Sequence, residues 1–118
     1  MDICLDTHPY SGTTTICEAL WMGVPVITLK GERAASLVGA SLLNQIGMPE
    51  LIAKDRDEFV TIATELARDP ARFRDLRSDM RQRLEKTPLR DELSFAREME
   101  AVYREAWRRW CDKGPTGN

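Results

Sequence analysis

Apolar positions change their period along this chain, and the change divides it into two halves. From residue 1 to about residue 53, short apolar runs alternate with stretches of helical period. Ile3-Cys4-Leu5 predicts a strand near 2–5, and the stretch ending at Trp21 and Met22 predicts a helix near 13–22. Pro25-Val26-Ile27-Thr28-Leu29 predicts a second strand at 25–29. A helix is expected from about 34 to 46, where Ala35, Gly39 and Ala40 are small enough for close packing on a sheet, and a short strand at 51–53 follows. Strands alternating with helices predict a parallel sheet joined by right-handed crossovers, hence the α/β class.

From Asp55 the pattern is helical and charged. Phe59, Ile62, Ala63 and Leu66 recur at helical spacing, Asp69-Pro70 marks a break, and Phe73, Leu76, Met80 and Leu84 resume the period. Thr87-Pro88 stops it. A long helix is predicted over 91–112, with Phe95, Met99, Val102, Tyr103, Ala106 and Trp110 as its apolar stripe. Residues 114–118 read as a disordered tail.

Composition narrows the function classes. The 118 residues form one small domain with a net charge of −2, which suggests neither a nucleic-acid partner nor an anionic membrane. No apolar run approaches the roughly 20 residues that span a bilayer, and no signal segment opens the chain. Cys4, Cys17 and Cys111 are widely spaced and odd in number, which argues against a disulfide framework and for a soluble, cytoplasmic protein. His8 is the sole histidine and lacks spaced partners, so no metal site is expected.

The candidate chemistry lies in Ser11-Gly12-Thr13-Thr14-Thr15-Ile16-Cys17-Glu18, between the first strand and the first helix. A helix start offers unpaired N–H groups and partial positive charge, which together favour an anion. Gly12 is expected to allow a tight turn and a close approach to a ligand, while Thr13, Thr14 and Thr15 add hydroxyl donors. Glu18, one turn further on the side of Thr14 and Thr15, suits the two hydroxyls of a ribose. The constellation suggests a nucleotide diphosphate site. Capping stands beside it as an alternative: Thr15 with Glu18 at the third place is a capping box, which needs no ligand.

The order of motifs resembles the carboxyl-terminal lobe of the O-GlcNAc transferase and SPINDLY-like glycosyltransferases. The resemblance runs from Asp2-Ile3-Cys4-Leu5-Asp6 and Pro9-Tyr10-Ser11-Gly12 through Cys17-Glu18-Ala19-Leu20-Trp21 and Gly23-Val24-Pro25-Val26. It continues at Val38-Gly39-Ala40-Ser41-Leu42-Leu43 and is softer beyond. It implies half of a Rossmann-like sheet flanked by helices, with a helical carboxyl-terminal half: part of the second lobe of a GT-B fold. It implies that Thr13, Thr14 and Thr15, beside Gly12, hold the donor's diphosphate and that Glu18 holds its ribose. The animal enzymes carry His where Thr13 stands and Asp where Glu18 stands, whereas SPINDLY-like members look more like this chain. Many relatives place His or Arg where Ala34 and Leu37 stand here. The resemblance therefore implies UDP-GlcNAc as donor, with GDP-fucose as the alternative, in either case a substrate rather than a cofactor.

Residues 1–113 are accordingly expected to form a nucleotide-sugar-binding lobe, read as a fragment beginning inside a domain. The first lobe and the regions that recruit the protein acceptor are expected to lie outside it. Asp6, His8, Lys30 and Arg33 sit near the carboxyl ends of predicted strands, where ligands gather in open α/β sheets. None of them is assigned a catalytic role, and Asp6 can serve instead to cap its own loop. Two function classes remain: the donor-binding half of a protein glycosyltransferase, and a non-catalytic nucleotide- or phosphate-binding module. Self-association through the final helix is expected on the strength of its apolar stripe, Trp107 and Trp110 included.

Overall fold

The computed structural model describes residues 2–113; the expected tail at 114–118 lies outside them. The chain divides after Thr87 into two compact units.

In the first unit, β1 (Cys4–Leu5), β2 (Val26–Leu29) and β3 (Ile52–Ala53) form a parallel sheet in the order β1-β2-β3. Cys4 pairs with Val26 and Leu5 with Ile27, while Thr28 pairs with Ile52 and Leu29 with Ala53. α1 (Thr14–Trp21) connects β1 to β2, and α2 (Val38–Gln45) connects β2 to β3. α3 (Arg56–Arg68) packs on β2 and β3, and α4 (Pro70–Glu85) packs on α1 and α3. β2 is central and nearly free of polar side chains, as a strand covered on both faces requires.

The expected elements are all present, with boundaries within two residues of those expected except at one. The helix predicted from 34 begins as a 3-10 turn, Ala34–Ser36, and α2 proper starts at Val38. Ser36 is the cause. Its hydroxyl donates to the Arg33 carbonyl at 2.9 Å and accepts the Arg33 N–H at 3.2 Å, tightening the turn before the helix can open.

Ile16 and Leu20 of α1, Val26 and Ile27 of β2, Leu43 of α2, Leu66 of α3 and Met80 of α4 are fully buried in one core. Each such side chain contributes about 1.5–3 kcal/mol on burial. Gly23 and Gly47, with φ of +71° and +70°, end α1 and α2 in the left-handed conformation that favours glycine.

Helix starts are treated in two ways. Asp55 Oδ1 accepts the Glu58 N–H at 2.8 Å to cap α3, and Asp69 Oδ1 accepts the Arg72 N–H at 3.0 Å to cap α4. Among the described residues α1 and α2 have no such cap: Leu37 precedes α2, and Thr13 is the N-cap residue of α1, with no side chain bonded to its first turn.

The second unit contains α5 (Glu92–Lys113), with Asp91 Oδ1 accepting the Ser94 N–H at 2.9 Å at its start. Leu93, Phe95, Val102, Tyr103, Trp107 and Trp110 are exposed on it.

Candidate functional site

The carboxyl ends of β1 and β2 lead into two loops that are stitched together. After β1 the chain runs through Asp6 to Gly12 before entering α1; after β2 it runs through Lys30 and Arg33 to Ser36. Ser11 is buried and donates its N–H to the Ala35 carbonyl at 3.0 Å. Thr7 Oγ1 donates to the Tyr10 carbonyl at 2.6 Å, closing the first loop on itself. Asp6 is the hub: Oδ1 accepts the N–H of Thr7 and of Gly12, each at 2.9 Å, and Oδ2 accepts the Thr28 hydroxyl at 2.7 Å. Asp6 thus caps its own loop, one of the two roles its position allowed.

Gly12, Thr13, Thr14, Thr15 and Glu18 are contiguous with this loop. Thr13, Thr14, Thr15 and Glu18 are exposed, and Gly12 is half-buried. The tight turn expected of Gly12 is not what the glycine provides. Its φ is not positive, and a Cβ there would meet Thr15 Cβ at an ordinary 3.4 Å. The turn is made by Asp6 gripping the Gly12 N–H.

The capping box is not formed. Thr13 has φ −99° and ψ −66°, a helical conformation, whereas a capping side chain normally springs from an extended one, as Asp55 does at φ −142° and ψ 175°. Thr15 stands inside the helix rather than at its cap. Among the described residues neither its hydroxyl nor the Glu18 carboxylate has a hydrogen-bond partner. The first turn of α1 is open to solvent with its dipole unanswered, the condition under which an anion gains most.

Thr15 and Glu18 are brought together in a hollow of about 380 Å³, whose other walls are Ala19, Met22, Val24 and Arg77. Arg77 belongs to α4 and carried no signal in the sequence, because its place beside α1 depends on how the two helices dock. Its guanidinium stands 3.9 Å from the Asp2 carboxylate, both ends exposed, a pairing of little energetic weight. Thr28, Gly39 and Ser36 were likewise not legible as parts of the site's frame. His8, Lys30 and Arg33 are exposed on the loops above the sheet. Nearby, burial and then the Asp6 charge push the Cys4 thiol above its ordinary pKa. Among the described residues no cluster of His, Cys, Asp or Glu could hold a metal, and no helix is long and apolar enough to cross a membrane.

The fold is shared with known proteins, and the sequence match decides which family it belongs to. The pattern of glycosyl transferase family 41 matches residues 1–99. The chain belongs to that family. A probable UDP-N-acetylglucosamine–peptide N-acetylglucosaminyltransferase SPINDLY of Solanum lycopersicum is 48% identical over 112 residues, which are 95% of this chain and 12% of that protein. A UDP-N-acetylglucosamine–peptide N-acetylglucosaminyltransferase of Caenorhabditis elegans is 36% identical over 109 residues, 92% of this chain and 10% of that one. The structure of a Thermobaculum terrenum O-GlcNAc transferase mutant superimposes with a TM-score of 0.87 at 43% identity, covering 96% of this chain and 22% of that chain. The α/β fold is that of a piece of a GT-B enzyme of family 41, as the resemblance implied. This family 41 chain spans about an eighth of the length of the plant relatives it matches.

Proposed function

We propose that this chain is the donor-binding part of a protein O-glycosyltransferase, which transfers a sugar from a nucleotide-sugar to Ser or Thr side chains of proteins. The observation that carries the reading is the uncapped, exposed and hydroxyl-rich first turn of α1, where α3, α4 and α5 are capped by Asp55, Asp69 and Asp91 and α2, also without a side-chain cap, continues from the 3-10 turn at Ala34–Ser36. In this reading the N–H groups and hydroxyls of Thr13, Thr14 and Thr15, with Gly12 beside them, hold the diphosphate, and Glu18 accepts from the ribose hydroxyls. As the bond to the sugar breaks, negative charge grows on the leaving diphosphate. A preorganised helix start stabilises it without reorganising, an electrostatic contribution. Deprotonation of the acceptor hydroxyl falls to groups outside this chain.

The names of the relatives favour UDP-GlcNAc as donor; Thr13 and Glu18 keep GDP-fucose as the alternative. The unpaired Cys4, Cys17 and Cys111 suit a reducing, cytoplasmic setting.

The test is titration of UDP and of GDP into the full-length protein, together with transfer from UDP-GlcNAc and GDP-fucose to acceptor peptides. One nucleotide is expected to bind, and its sugar to be transferred. The chain alone is expected to transfer nothing, because half a cleft cannot hold an acceptor against the donor carbon. Binding of neither nucleotide by the full-length protein overturns the reading, and turnover by the isolated chain overturns the division of labour.

A further inference from the structure

We propose that Asp6 is the positioning residue of this site: its carboxylate holds the loop that delivers Gly12 to Thr15 against β2, and thereby sets where the open first turn of α1 stands. The inference rests on reading that helix start as the diphosphate seat.

Both oxygens of Asp6 are committed to the frame. Oδ1 takes the backbone N–H of Thr7 and of Gly12, the first and sixth residues after it, so the loop is gripped at both ends. Oδ2 takes the hydroxyl of Thr28, which is fully buried in β2. α2 closes the remaining side, for a Cβ on Gly39 would lie 2.5 Å from Thr28 Oγ1 and 2.7 Å from Asp6 Oδ2. The carboxylate is wedged between β1, β2, α2 and the loop and is spent on them. It acts on a ligand only through Gly12, whose N–H it holds immediately before Thr13.

That placement explains why α1 starts uncapped. With Gly12 held at 2.9 Å by Asp6 and Ser11 N–H held at 3.0 Å by the Ala35 carbonyl, the chain arrives at Thr13 already in a helical conformation. The Thr13 hydroxyl is thereby kept off the first-turn N–H groups. A site for a diphosphate needs this preorganisation, since a displacement of about 1 Å at a binding group is felt strongly in affinity and rate.

The experiment measures dissociation constants for UDP and GDP in the full-length protein, wild type and variants, below each variant's melting transition. Asp6→Ala is expected to weaken binding of the preferred nucleotide by roughly tenfold or more, the scale of a lost hydrogen bond to a charged group. Asp6→Asn is expected to stay within about threefold of wild type, because the amide oxygen still accepts both N–H groups and the Thr28 hydroxyl can turn to accept from the amide nitrogen. Thr28→Val is expected to weaken binding and Thr28→Ser to restore it.

A folded Asp6→Ala variant that binds as well as wild type overturns the proposal. So does an Asp6→Asn variant as weak as the alanine one, since charge rather than positioning would then be at work. If Asp6→Ala does not fold, Thr28→Val decides: unchanged binding there overturns the proposal equally. Glu18→Ala, which leaves this frame alone, reads the site itself. If wild type binds neither nucleotide, or Glu18→Ala binds as wild type does, the donor-site reading fails and this proposal falls with it.

Discussion

A methyl group on Gly39 would stand 2.5 Å from the Thr28 hydroxyl oxygen, nearer than any real side chain tolerates. Two effects oppose each other in Gly39→Ala. Helix propensity favours alanine by up to about 1 kcal/mol, while overpacking costs about 1–3 kcal/mol. Overpacking wins here, because Thr28 is fully buried and its hydroxyl is tied to Asp6, so neither can retreat. Chemical denaturation is expected to show a less stable Gly39→Ala variant. At Gly12, where the contact is an ordinary 3.4 Å, alanine is expected to leave stability nearly unchanged.

The helix starts predict opposite responses to substitution. Asp55→Ala and Asp69→Ala each remove a side-chain cap and are expected to cost about 1 kcal/mol of stability. Thr14→Ala, Thr15→Ala and Glu18→Ala remove no hydrogen bond the fold makes, and are expected to change stability by less than about 0.5 kcal/mol. Their effect is expected on nucleotide binding in the full-length protein, about 1.5–3 kcal/mol for each lost charge-assisted hydrogen bond. Calorimetric titration beside thermal melts separates the two. Losses of stability with unchanged affinity would restore the capping reading.

The thiols differ in reactivity for reasons visible in their surroundings. Cys111 is exposed on α5, while Cys4 is half-buried and its thiol is pushed above its ordinary 9.0 by burial and then by the Asp6 charge. Alkylation near pH 8 is expected to reach Cys111 first and Cys4 last, followed by peptide mass spectrometry. Because the folded thiol holds its proton more tightly than the unfolded one, its contribution to stability is intact below pH 9.0 and is lost as pH climbs from there through the raised value. Faster labelling of Cys4 than of Cys111 would contradict the assignment.

The exposed apolar side chains of α5 include Trp107 and Trp110, whose rings stack with centroids 5.1 Å apart. The helix is acidic in its first half, with Glu92, Glu98 and Glu100 against Arg97, and basic in its second, with Arg104, Arg108 and Arg109 against Glu105 and Asp112. Two such helices laid antiparallel match acid to base while covering apolar surface, the self-complementary form of a two-fold interface. The isolated chain is expected to sediment as more than a monomer, and Trp107→Ala with Trp110→Ala to shift it toward one. A single monomeric species at high concentration would contradict this.

Strand and helix positions were legible because period is a local property. Ile3-Cys4-Leu5 and Val26 to Leu29 read as strands from their own composition, and Phe73, Leu76, Met80 and Leu84 read as one helix from spacing alone. The start of the second helix was misplaced at 34, because the Ser36 hydroxyl's bond back to Arg33 leaves no trace in a hydrophobic pattern. The candidate residues Gly12 to Thr15 and Glu18 could be found because they are nearly contiguous, so that a turn and one helical pitch suffice to bring them together.

By itself, then, the sequence determined which segments are strands and helices and where hydroxyls crowd a helix start, since residues within a turn of one another encode both. Only the tertiary structure decided that the helix start stays uncapped. That outcome depends on a hydrogen bond between Asp6 and Thr28, 22 residues apart, and on Gly39 lying against both. It also placed Arg77 in the hollow beside Glu18. Contacts of this kind exist only once β1 and β2 lie side by side with α2 and α4 packed about them, and no local period records which side chains then meet.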